Sequence, residues 1–166
     1  MNLESLNDLP DWDEDDFSKF EEEGEDWKPK PTREACKLLY KQWQQIVLML
    51  NGAFESMNIE DEMGSPKEYW EDYKGMILGD AFQVAVKIKS SESGELYMIR
   101  MENASIIRKN AQFIASSILV MSKENQIDKE HGEVIRAEID KFRELFKKWV
   151  STFERDEFED EWGLFI

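Results

Sequence analysis

The 166-residue sequence has one cysteine, one histidine, four prolines and no apolar run approaching the roughly 18–20 residues of a membrane span. The single cysteine, Cys36, excludes an intramolecular disulfide, and nothing points to an oxidising compartment. As a nucleophile Cys36 would need an activating base, and the only histidine, His131, is distant in sequence. Its expected role is that of a small apolar filler near a helix start. Scarcity of histidine also bears on metals, because two-metal carboxylate sites in helical bundles use a Glu-x-x-His pair from each of two helices, and no such pair occurs here. Asp128-Lys129-Glu130-His131 places a carboxylate and an imidazole at i, i+3, but where a helix should begin. Asp128 is there expected to be an N-cap and His131 a first-turn surface residue. A phosphorelay histidine would sit exposed in mid-helix, unlike His131 beside Gly132. With no glycine-rich phosphate loop, no Gly-x-Ser-x-Gly and no zinc pattern, no catalytic, cofactor-binding or metal-ligating residue is assigned. The opening MNLESLNDLPDWDEDD has no basic segment followed by an apolar stretch, so no secretory signal is expected, and the location follows as cytoplasmic without membrane association.

Positive charge is also short. The formal net charge is −16, carried mostly by the two ends. Residues 1–31 hold 12 Asp and Glu against 3 Lys, a net −9, and residues 153–166 hold 6 acids against Arg155, a net −5. The remaining 32–152 is nearly neutral at −2. Direct binding to a phosphate backbone, which needs a concentrated basic face, is disfavoured. Binding of a basic partner, or mimicry of nucleic acid, stays open.

What is present is amphipathic helix. Apolar residues three and four apart mark four segments, expected at about 33–57, 65–89, 95–122 and 128–155. The first carries Cys36, Leu39, Trp43, Ile46, Leu50, Phe54 and Met57 after a cap at Pro31-Thr32. The second opens on Ser65-Pro66-Lys67-Glu68, a capping box, and continues through Trp70, Tyr73, Ile77, Ala81, Val84 and Ile88. Gly75 and Gly79, one turn apart, are expected to mark a close helix crossing. The polar link Ser90–Gly94 suits a turn between antiparallel helices. The third helix is read on Leu96, Ile99, Ile106 and Phe113, and the fourth on Ile135, Ile139, Phe142, Phe146, Trp149 and Phe153. A rival β-hairpin, pairing the alternating Val84–Lys89 with Glu95–Met101, covers too few residues to displace the helical pattern. Four such segments with short links are best satisfied as an all-α, four-helix up-and-down antiparallel bundle of the left-handed, coiled-coil-like kind, flanked by acidic N- and C-terminal tails.

Two features carry functional interest. At 100° per residue, Asn103, Asn110 and Ser117 share a line on the third helix, with Glu102 one position round and Arg100 and Arg108 pointing elsewhere. Facing inward, the line either bonds to a neighbouring helix and sets its register, as a buried Asn does in coiled coils, or borders a polar ligand pocket. Facing outward, it is solvated. The tails are the second feature. Trp12, Phe17, Phe20 and Trp27 at one end, and Phe158, Trp162, Leu164, Phe165 and Ile166 at the other, set large apolar groups in an acidic background. Such tails either fold back over seams of their own bundle or dock on a basic, apolar-grooved partner. The preferred expectation is a non-enzymatic protein-interaction module that uses these tails and self-associates, since a chain with six tryptophans and ten phenylalanines has apolar faces that four helices leave uncovered. The alternatives are a small-molecule binder or unfamiliar enzyme with a pocket at Glu102, Asn103 and Asn110, and a nucleic-acid mimic. No motif is specific enough to carry a function across from a known family.

Overall fold

The three-four spacing of apolar residues becomes four helices in the computed structural model, which describes residues 9–17, 30–57 and 67–165: α1 (Pro31–Glu55), α2 (Lys67–Ser90), α3 (Tyr97–Lys123) and α4 (Lys129–Val150). Each packs against its neighbours in sequence, and α4 returns against α1 to close the ring. The result is a four-helix antiparallel bundle with no strand among the described residues, so the Val84–Met101 hairpin does not form. The capping box at Ser65-Pro66 lies outside the described residues.

The core is tied as well as packed. Trp43 of α1 is fully buried, donates its indole N–H to the Ala81 carbonyl of α2 at 2.8 Å, and rests its ring 4.7 Å from Phe142 of α4. One side chain thereby fixes three helices. Gln42 links α1 to α4 by donating to the Glu138 carbonyl and carboxylate. Cys36 is the expected filler, buried with its thiol toward the Ile88 carbonyl, and burial together with nearby Glu92 pushes its pKa up. Asp128 caps α4 by accepting from the His131 N–H at 2.9 Å.

Several boundaries and faces differ from the sequence expectation. Thr32 does not cap α1. Pro31 already occupies the first helical position, which its fixed φ suits, and the Thr32 hydroxyl donates to the Thr152 carbonyl across the bundle end. α4 stops at Val150 rather than 155, because the Ser151 and Thr152 hydroxyls turn back to the Lys148 and Trp149 carbonyls and compete with continued helix. Phe153, beyond the helix, still packs 4.7 Å from Trp149. On α3 the buried stripe runs through Arg100, Ala104, Ile107, Ala111, Ile114, Ile118 and Met121, while Ile99, Ile106 and Phe113 are only partly buried. Small alanines among the isoleucines allow close packing there, and the larger residues flank it.

The close helix approach is also elsewhere. A Cβ added at Gly75 or Gly79 would meet no atom within 4 Å, so neither marks a crossing. At Gly132 a Cβ would overlap the Ser122 Oγ and stand 3.4 Å from Ile127 Cδ1. Gly132 is the residue that lets α4 start against the end of α3.

Candidate functional site

The polar line of α3 is inward-facing and satisfied. Asn103, Asn110 and Ser117 are all buried. Asn103 donates to Ser90 Oγ at 3.3 Å, Asn110 donates to Gln83 Oε1 at 2.5 Å, and Ser117 accepts from the Tyr73 hydroxyl at 2.9 Å. All three partners lie on α2, and they descend in sequence as the α3 positions ascend. This ladder of side-chain bonds distinguishes one antiparallel register of α2 and α3 from its neighbours. Glu102 is exposed and stands outside the line.

At the bundle end that holds the starts of α1 and α3, the sequence concealed a charged cluster. Arg33 and Arg100 are nearly buried and Glu92, in the α2–α3 link, is completely so. Arg100 Nη2 approaches Glu92 Oε2 at 3.1 Å, and Arg33 Nε stands 4.0 Å from the same oxygen and its Nη2 3.4 Å from Glu95. The turn that presents Glu92 needs left-handed backbone at Gly94 (φ 86°) and Glu95 (φ 53°), and Arg100 Nη1 holds the latter by donating to its carbonyl. Arg100 therefore faces the core rather than pointing elsewhere. It also shows why the Ser90–Gly94 link is not a simple solvated turn. An open cavity of about 360 Å³ borders this cluster. Lys30, Arg33 and Arg100 line it together with Glu92, Glu95 and Glu154, so the lining carries no net charge. Among the described residues no group of three or more His, Cys, Asp and Glu is placed to hold a metal ion, and no helix is long and apolar enough to cross a membrane.

The two acidic segments have opposite fates. Residues 9–17 lie on α1. Phe17 is 2% exposed, its ring 4.9 Å from Trp12 and 5.2 Å from the Arg33 guanidinium, and Trp12 packs 5.8 Å from Tyr40. The Tyr40 hydroxyl donates to the Pro10 carbonyl at 2.6 Å, while Lys37 and Lys89 pair with Glu14 and Asp16 at 2.7 and 2.9 Å. Asp13 caps the short turn Glu14–Asp16 that carries these acids. Burial, with Asp11 and Asp16 nearby, pushes Tyr40 up to about 12, and the bond from Lys37 holds Glu14 below the usual carboxylate range. Phe20 and Trp27 lie outside the described residues.

Among the described residues, the contacts that tie the C-terminal segment to the bundle lie near its start. Asp156 accepts from the Tyr97 N–H at the α3 N-terminus at 2.7 Å, a favourable place for a carboxylate, and Arg155 lies over the Tyr97 ring. Beyond it Phe158 is 70% exposed, Trp162 89% and Leu164 59%, with Phe165 partly covered. Asp160 closes a turn here, accepting from the N–H of Gly163 at its carbonyl and of Leu164 at its carboxylate.

The bundle also carries an apolar groove of about 290 Å³ between α3 and α4. Ala111, Ala115, Ile139, Phe142 and Phe146 form its floor, with Arg108, Gln112, Asp140, Arg143 and Lys147 along its rim. Sequence reasoning did not find it, because it arises from pairing two helix edges. The chain matches no protein-family model, no curated protein and no solved structure.

Proposed function

We propose that this chain is a non-enzymatic, cytoplasmic protein-interaction module that presents its C-terminal acidic-aromatic segment to a protein with a basic, apolar-grooved face. The single observation that carries this is the exposure of Phe158, Trp162 and Leu164 within one short stretch that is pinned at Asp156 and otherwise turned to solvent. Exposed large apolar side chains grouped in this way mark interaction sites on soluble proteins. Glu157 before them and Glu159, Asp160 and Glu161 among them steer encounter with a basic surface, and each aromatic ring brings about 150–250 Å² of surface to bury. Trp12 and Phe17, engaged on α1, belong to the scaffold in this account. The acidic surplus works against direct nucleic-acid binding.

Affinity capture from the native cell lysate tests the proposal, with the full chain compared against the Phe158→Ala/Trp162→Ala double variant. The expected result is a basic protein retained by the first and lost by the second, at unchanged melting temperature. Identical retention by both would reject the segment as the contact surface. Retention abolished by about 0.5 M salt, and by competing DNA, would instead favour an electrostatic nucleic-acid mimic.

A further inference from the structure

The groove between α3 and α4 and the segment 157–165 are complementary in both chemistry and charge. One has an apolar floor and a rim on which Arg108, Arg143 and Lys147 outnumber the single carboxylate of Asp140, and the other sets apolar groups among four carboxylates. Arg143 and Lys147 pair with exposed Asp140 and Glu144 of their own helix, whereas Arg108 makes no ion pair among the described residues and stays available. We infer, building on the interaction reading above, that one partner of the segment is a second copy of this chain: Phe158 and Trp162 of each copy seat in the α3–α4 groove of the other, with Glu159, Asp160 and Glu161 against the basic rim.

The occupant is a second copy rather than the same chain for a geometric reason. Arg108 lies 11 residues along α3 from Tyr97, where Asp156 is pinned, a separation of about 16 Å. Six residues from Asp156 to Trp162 would reach that far only if nearly straight, at about 20 Å fully extended, whereas the turn closed by Asp160 shortens the segment and leaves Trp162 pointing to solvent. A two-fold arrangement uses both features twice, as an isologous interface does. Four rings in two grooves bury about 600–1,000 Å² on the donor side alone. With the smaller facing surface of the two grooves counted, this stands near the lower end of the ~1,200–2,000 Å² of a stable complex.

Complementation between two variants tests the exchange by sedimentation velocity over a concentration series. Phe158→Ala/Trp162→Ala removes the segment's anchors and keeps the groove, while Arg108→Glu/Arg143→Glu reverses the rim and keeps the segment. Wild type is expected to dimerise, each variant alone to dissociate with a constant raised at least tenfold, and an equimolar mixture of the two to regain association through one intact contact. That recovery separates the exchange from misfolding, which a mixture does not repair. A wild-type chain that stays monomeric to about 200 µM, or dimers indifferent to both variants, would overturn the inference. If such a chain still captures a basic protein through Trp162, the self-association fails while the interaction reading stands. If it captures none, both fail.

Discussion

Two phenylalanines in similar acidic surroundings should respond oppositely to truncation. Phe17 is nearly sealed between Trp12, Arg33 and the face of α1, whereas Phe158 is 70% exposed. Burying a phenylalanine side chain contributes about 1.5–3 kcal/mol. In Phe17→Ala the loss is capped at the docking free energy of residues 9–17, since the bundle keeps its own core once that segment lifts away. A loss of about 2 kcal/mol corresponds to a fall in melting temperature of about 4–8 °C for a chain of this size. Phe158→Ala, with most of its surface already in water, should stay within about 0.5 kcal/mol of wild type. Thermal unfolding followed by circular dichroism reads both. Chymotrypsin supplies a second assay, with early cleavage after Phe158 and Trp162 in wild type and added cleavage after Trp12 only in the Phe17 variant. Equal thermal shifts, or early cleavage after Trp12 in the wild-type chain, would refute the division of the segments into one docked and one presented.

The scaffold gives four further expectations. Gly132→Ala gains about 1 kcal/mol of helix propensity, but it displaces the Ser122 hydroxyl from its bond to the Ile118 carbonyl; losing that bond and stranding the hydroxyl costs about 2–3 kcal/mol, so the variant should be destabilised alone and stabilised in a Ser122→Ala background, and additive effects in urea unfolding would contradict this. Glu92→Ala leaves Arg33 and Arg100 without their shared carboxylate, and removing one partner of a buried ion cluster costs about 3–5 kcal/mol; a loss under 1 kcal/mol in the same assay would show the cluster to be solvated. Asn110→Leu should change stability by no more than about 1 kcal/mol, because exposed Gln83 turns to water, while crystallography or NMR reveals a shifted α2–α3 register; an unshifted register would remove the specifying role assigned to the line. Tyr40 should ionise near pH 12 rather than 10, so its contribution to docking, fully present below 10, is lost as pH rises through 10 to 12; an ultraviolet titration in which Tyr40→Phe does not remove that late step would rule the assignment out.

The helical core was legible because burial and helical period coincide. Leu39, Trp43, Ile46, Leu50, Ile77, Ala81, Val84 and Ile88 are all buried where their spacing puts them. The inward turn of Asn103, Asn110 and Ser117 was one of the readings that spacing allowed, but their partners on α2 depend on the register between helices and no single-helix pattern contains it. Glu92 was hidden by its setting in Ser90–Gly94, where every residue type argues for solvent. The signal that could have exposed it is Arg33 three residues before Cys36 and Arg100 four before Ala104, charges in register with buried stripes at the same bundle end. Gly132 escaped notice because a close approach is a property of two elements, and Gly75 and Gly79 are a sequence signal without one. The two acidic segments have similar composition, so their difference lies in what surrounds them. Tyr40, Lys37 and Lys89 receive the first, and among the described residues nothing receives Trp162.

The most direct test of the central claim is photocrosslinking in cells with benzoylphenylalanine in place of Trp162, and separately in place of Trp12. The account predicts an adduct between polypeptides from position 162, either a second copy or a basic protein, and only attachment within the chain from position 12. No intermolecular adduct from position 162, or one from position 12 alone, would contradict it.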